Sequence, residues 1–302
     1  MTIDDLLKYC GQMIDQIDHA KGNSSELRDA KALAFAGMLG YYQGEWSLDD
    51  IYLAFLETDF ICLDEPISKM ISRKYSLSKK SVDALCSHEE GSFYEVSGYK
   101  NDRTKKTKIK RCIYIDKELL DKPEVLVERI VHQMNHVLNS RKNSICSKQG
   151  KLAARMGVSL DYFVTRKNES LALEEAINGL QVEDIMKIVS GYSKYVTDSR
   201  YLEIIKKVSE QSKKEDDVMT ALVRPLYEDE EFRSVLVDRR LSGRLSGIRE
   251  AFDEKTEVGA YNSLLACCDV IGSTDVTSEK SDICHEQAKA LIKKYIETPK
   301  VS

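Results

Sequence analysis

The stretch ERIVHQMNHVLNS, Glu128–Ser140, decides how the chain is read. Its apolar residues recur at helical spacing. At about 100° per residue, Val127, Ile130, Val131, Met134, Val137 and Leu138 form one stripe. His132 and His136 fall roughly opposite the centre of that stripe, within about 40° of each other. Two imidazoles at i and i+4 share a helix face, so both rings can reach one metal ion. The competing reading is an exposed, incidental pair; the chain has five histidines in all.

Pro123 suits the first turn of this helix, and Glu124 suits its positive N-terminal end. The helix is expected to run to about Asn139. Upstream, SFYEVSGYK and TKKTKIKRCIYID flank an Asn-Asp turn, and their aromatic and β-branched content predicts a β-hairpin over residues 92–115. The basic segment Lys100–Arg111 reads as one solvated strand face, with use as a substrate-facing edge strand a secondary possibility. Downstream, a loop containing Gly150 and Gly157 is expected, then a helix from about Leu171 to the SGY at 190–192.

That second helix offers a third ligand. Glu169, Glu174 and Glu175 are the candidates in NESLALEEAINGLQVEDIM. Leu173, Ile177 and Leu180 share one face of the wheel. Glu175 points about opposite them, Glu174 lies to one side, and Glu169, if helical at all, falls near the apolar face. Geometry favours Glu175, with Glu169 next. Taken alone, Glu175 reads as an ordinary exposed glutamate.

The order hairpin, HQxxH helix, Gly-containing loop, EEAINGLQ helix resembles the zincin metallopeptidases of gluzincin type, which carry HExxH and a downstream glutamate. The resemblance covers about residues 105–190. It implies a small antiparallel sheet packed on an active-site helix; with the helical C-terminal part read from the sequence itself, the fold expected is α+β and mostly helical. It implies Zn2+ as cofactor, with His132, His136 and Glu175 as ligands, and peptide-bond hydrolysis in a protein or peptide substrate. It assigns the general base to position 133, and there the chain departs from the family by carrying Gln133.

A primary amide can hydrogen-bond a water but cannot take its proton. Loss of a general base typically costs on the order of 10²–10⁴ in rate. The ligands are untouched, so metal binding is expected to survive. Gln133 marks a natural non-hydrolytic relative, an introduced Glu→Gln change, or a site where Glu128 or Glu174 has taken over as base. The alternative function is a non-catalytic zincin-fold protein that holds a peptide or protein partner in its cleft. A helical scaffold without metal is the third reading. Asn178, three residues after Glu175, is a candidate to orient a ligand. Tyr192, Tyr195 and Tyr201 are candidates to stabilise an oxyanion, though each reads first as an ordinary packed or surface tyrosine.

The rest of the chain frames this core. Residues 1–90 read as a helical N-terminal region, with SSEL (residues 24–27) and SLDD (residues 47–50) positioned as N-caps, Ser47 being followed by acids in the first turn. Residues 91–195 form the core, and 196–302 a helical C-terminal region broken by Pro225, SGRLSG and GSTDVTS. A net charge of −5 gives no mark of a dedicated nucleic-acid binder. No apolar run approaches the roughly 20 residues that span a bilayer. The N-terminus lacks the pattern of a secretory signal, and the eight cysteines form no CxxC pair. Together these predict a cytoplasmic protein, or one exported without a classical signal.

Overall fold

The computed structural model describes residues 2–18, 24–76, 91–100, 107–141, 145–148, 151–156, 159–162, 168–169, 171–211, 216–242, 246–273 and 276–299. The fold is α+β and mostly helical. The chain packs as two compact units, each drawn from two stretches: residues 1–138 with 182–213, and residues 139–181 with 214–302.

The first unit opens with α1 (Ile3–Asp18), α2 (Ser25–Tyr41) and α3 (Leu48–Leu56). Both expected caps form. Ser24 accepts from the Leu27 amide, and Ser47 exchanges bonds with Asp50 in a full capping box. Helix α2 is buried almost all round: Leu27, Ala30, Ala32, Leu33, Ala34, Phe35, Ala36 and Met38 are all inaccessible to solvent. That is the mark of a central helix. Lys31 is buried with them. Its ammonium sits 2.5 Å from Asp18 Oδ1 and 4.2 Å from the Phe60 ring centroid, so an ion pair and a π face replace water.

FICLDEPISKMISRKY resolves into β1 (Thr58–Leu63) and α4 (Ile67–Tyr75). The expected hairpin forms as β2 (Ser92–Lys100) and β3 (Thr107–Asp116), antiparallel, with Ser92 opposite Ile115 and Tyr94 opposite Ile113. Its turn lies outside the described residues. The sheet is mixed rather than purely antiparallel, because β1 adds to β3 in parallel with Phe60 opposite Ile113. Strand alternation then sorts the faces. Ser92, Tyr94, Ile113, Ile115 and Phe60 share one face, and Phe93, Glu95 and Tyr114 the other. On that other face α4 packs Ile67, Met70 and Ile71 against Leu63, Phe93 and Tyr114.

One solvated face for Lys100–Arg111 is corrected at its end. Lys110 is exposed, but Arg111, one pleat further, turns inward and is buried, with its guanidinium 3.6 Å from Glu57. Period-two alternation forbids both from sharing a face. The side chains of residues 100–109 lie outside the described residues.

Helix α5 (Pro123–Arg141) starts where Pro123 and Glu124 place it. Leu126, Val127, Ile130, Val131, Met134, Val137 and Leu138 fill the core. The C-terminal half of α6 (Leu171–Gly191) crosses α2 closely: a Cβ on Gly37 would stand 2.6 Å from Val189 Cγ2. A 3-10 turn at Tyr192–Lys194 and α7 (Ser199–Glu210) complete this unit.

In the second unit, the segment expected as a loop is a four-stranded antiparallel sheet: β4 (Ile145–Lys148), β5 (Lys151–Met156), β6 (Ser159–Tyr162) and β7 (Asn168–Glu169). The strands are short, and ICSK and KLAARM lack the β-branched alternation that would announce them. Gly150 and Gly157 fall between consecutive strands, outside the described residues. Leu173, Ala176, Ile177 and Leu180 of α6 share a core with α8 (Val218–Glu228), α9 (Glu230–Ser242), α10 (Ser246–Lys255), α11 (Ala260–Ile271) and α12 (Ser278–Glu297). Pro225 does not break the chain; it lies inside α8. Burial of Leu222, Val223, Leu226 and Tyr227 offsets the one helical hydrogen bond a proline removes.

Among the described residues no helix is long and apolar enough to cross a membrane.

Candidate metal centre

The site is carried by α5 and α6, each a continuous helix. His132, His136 and Glu175 each offer a ligand atom, and these atoms all lie within 4.8 Å of one another. The two histidine Nε2 atoms are 3.3 Å apart, with the rings 77° from coplanar.

The donor set suits zinc. Two nitrogens about 2.0–2.1 Å from a tetrahedral ion stand about 3.3 Å apart, which is the separation found here. The alternative, a hydrogen bond between two neutral rings, would be long at this distance.

The histidine face of α5 is not the open surface that the wheel alone describes. His136 is buried, His132 half-buried, and Gln133 and Asn135 between them are buried too. The sheet supplies the cover. Tyr94 lies nearly parallel to the His136 ring, 3° between planes and 6.4 Å between centroids. Ser92 Oγ accepts a hydrogen bond from Gln133 Nε2 at 2.9 Å. On the other side of the helix, Tyr42 donates its hydroxyl to Asn135 Oδ1 at 3.0 Å.

On α6, Glu175 is half-buried while Glu174 and Asn178 are buried. Glu174 accepts from Asn139 Nδ2 at 3.4 Å. Glu169, the runner-up ligand, is in β7 rather than in a helix, paired with Leu160. Glu128, considered as a substitute base, lies 3.9 Å from the Arg129 guanidinium. Neither Glu128 nor Glu174 belongs to the three-residue group. Tyr192 donates its hydroxyl to the Ala36 carbonyl at 3.0 Å, and burial pushes its phenol up to about 12, so its proton is committed to α2. Tyr195 is 65% exposed.

Ser92, Tyr94, Asn135 and Tyr42 escape a reading of the sequence. Alternation in SFYEV puts Ser92 and Tyr94 on one face, but nothing in the pattern says that this face meets α5. Comparison with known protein families, curated proteins and solved structures finds no match for the chain.

Proposed function

We propose that the chain is a zinc-peptidase-like protein whose centre, His132, His136 and Glu175, binds a divalent metal, and whose Gln133 withholds the general base. The reading rests on one observation above all: three ligand atoms of metal-binding type within 4.8 Å of one another, two of them at tetrahedral spacing. A bound zinc would supply Lewis-acid polarisation of a carbonyl and a water of lowered pKa. The chain's own residues do the rest. The two imidazoles and the carboxylate fix the ion, Tyr94 covers the His136 ring, and Asn135 ties α5 to α2 through Tyr42.

Position 133 decides the outcome. Its side chain is buried beside the histidines, where a family base would stand, and its amide accepts no proton at neutral pH. A peptide or protein segment held at the centre would therefore be bound far more readily than cleaved. The non-catalytic reading, a domain that holds a peptide partner, is favoured by the same fact: Gln133 is hydrogen-bonded within the fold rather than left open to solvent.

The test is metal analysis joined to a restored base. Stoichiometric zinc is expected in the unsubstituted protein and lost in His132→Ala. Gln133→Glu is expected to cleave an unstructured protein or a peptide library at least 10²-fold faster than the unsubstituted chain. Absence of stoichiometric zinc from the unsubstituted protein would overturn the metal reading. Zinc without cleavage by Gln133→Glu would leave the binding protein.

A further inference from the structure

We infer that Ser92 is a positioning residue for the side chain at 133, and that its hydroxyl is set to donate to an oxygen acceptor there, so that a carboxylate fits the position better than the amide it holds. The consequence for hydrolysis rests on the function proposed above; the contact itself does not.

The backbone that presents Ser92 is fixed from both sides. Gly91, at φ +86°, turns the chain into β2 and accepts the Asp116 amide at 2.8 Å. A side chain at Gly91 would be strained at this φ, and its Cβ would press on Leu119 Cδ1 at 3.0 Å. Ser92 then pairs with Ile115 and points from the sheet face that α5 covers. It is buried, as is Gln133.

A serine hydroxyl accepts and donates. Here it accepts from Gln133 Nε2 at 2.9 Å, and its own proton is left to find a separate acceptor. Among the described residues no acceptor receives the serine proton. A buried hydroxyl used only as an acceptor is half satisfied. A carboxylate at 133 reverses the polarity: the hydroxyl turns to donate, and the bond becomes charge-assisted. It would also hold one carboxylate oxygen toward β2 and restrict the torsions of the side chain. A base held in one rotamer gains rate through orientation, which appears in kcat rather than in KM.

Two measurements test this, and they fail separately. The first uses the unsubstituted chain. The side-chain amide protons of Gln133, followed by nitrogen-edited NMR, are expected to exchange slowly with solvent. Ser92→Ala is expected to speed that exchange at least tenfold with the fold intact by circular dichroism, and Ser92→Thr to restore it. Gln133 amide exchange identical in the unsubstituted protein and Ser92→Ala would overturn the inference. So would the reverse amide orientation, with Oε1 on the hydroxyl. The second measurement uses Gln133→Glu. Adding Ser92→Ala is expected to lower its kcat roughly tenfold with KM within about twofold, and Ser92→Thr to recover it. Equal kcat with and without the hydroxyl would overturn the positioning role. If Gln133→Glu cleaves nothing while the amide contact is present, the peptidase reading fails and the Ser92 contact stands.

Discussion

Tyr42 and Asn135, 93 residues apart in sequence, meet at 3.0 Å with both side chains fully buried. The bond joins the end of α2 to the middle of α5, one residue from His136. It therefore sets the rotation of the helix that carries both histidines. Tyr42→Phe keeps the ring and removes the donor. Such a loss between buried groups costs about 1–3 kcal/mol. The expected result is a lower urea midpoint with unchanged slope, and zinc affinity reduced by a smaller factor than in His136→Ala. Full stability in Tyr42→Phe would show that packing alone holds α5.

Metal and stability are linked by mass action. A ligand that binds only the folded chain stabilises it by about 2.7 kcal/mol at one hundred times its dissociation constant. Zinc is thus expected to raise the melting temperature, and the rise is expected to grow with the logarithm of zinc concentration. His132→Ala and Glu175→Gln are each expected to flatten that dependence while leaving the metal-free melting temperature within a few degrees. A rise that survives both substitutions would place the ion elsewhere.

Local chemistry made much of the fold legible. The capping serines at 24 and 47, the Pro123 helix start and the strands around residues 92–115 each follow from nearest-neighbour physics, and each forms. The spacing of His132 and His136, and the wheel position of Glu175, likewise led to three residues that the fold brings together. What stayed hidden depends on tertiary packing. Lysine is typically a surface residue, and the contacts of Lys31 with Asp18 and Phe60 help make its burial tolerable. Pro225 continues a helix because its neighbours are buried. Strands of four residues carry too few side chains to show a period, so β4 and β6 read as loop. Ser92 looks like a strand-entry serine until α5 is laid against it.

Two helical glycines should respond oppositely to the same change. Gly37 lies where α2 meets the last turns of α6, with Val189 Cγ2 2.6 Å and Ile185 Cγ2 3.0 Å from any added Cβ. Gly179 has nothing within 4 Å. Alanine gains up to about 1 kcal/mol over glycine in a helix interior where space allows. Gly179→Ala is expected to stabilise by about 0.5–1 kcal/mol. Gly37→Ala is expected to destabilise by about 1–3 kcal/mol, because overpacking outweighs propensity. Chemical denaturation of both variants decides it; stabilisation of Gly37→Ala would mean that α2 and α6 can part without loss.

Glu95 gives the protein an acid-sensitive point on the α4 side of the sheet. Burial works against its charge, but Lys74 and Tyr75 outweigh that by hydrogen bonding, and the net effect holds the carboxyl below the ordinary glutamate range. Lys74 Nζ lies 2.5 Å from Glu95 Oε2, Tyr75 donates to the other oxygen, and Tyr114 donates at 3.0 Å. For Lys74, burial opposes the charge and the bonds to Glu95 and Tyr114 outweigh it, raising its pKa. A depressed carboxyl contributes stability above its unfolded pKa of about 4.3, and that contribution is lost as pH falls through the lower folded value. A raised lysine contributes below its unfolded pKa of about 10.4 and loses that as pH rises through the folded value. Both are therefore present at neutral pH. Because Lys74 is 39% exposed, solvent screening discounts the pair to about 1 kcal/mol. Glu95→Gln is expected to cost about that much at pH 7, and the gap from the unsubstituted protein should close as pH falls through the folded Glu95 value. Urea unfolding in steps from pH 7 down to acid, with the unsubstituted protein alongside, reads it out; a gap that does not change with pH would mean that packing, not charge, accounts for the loss.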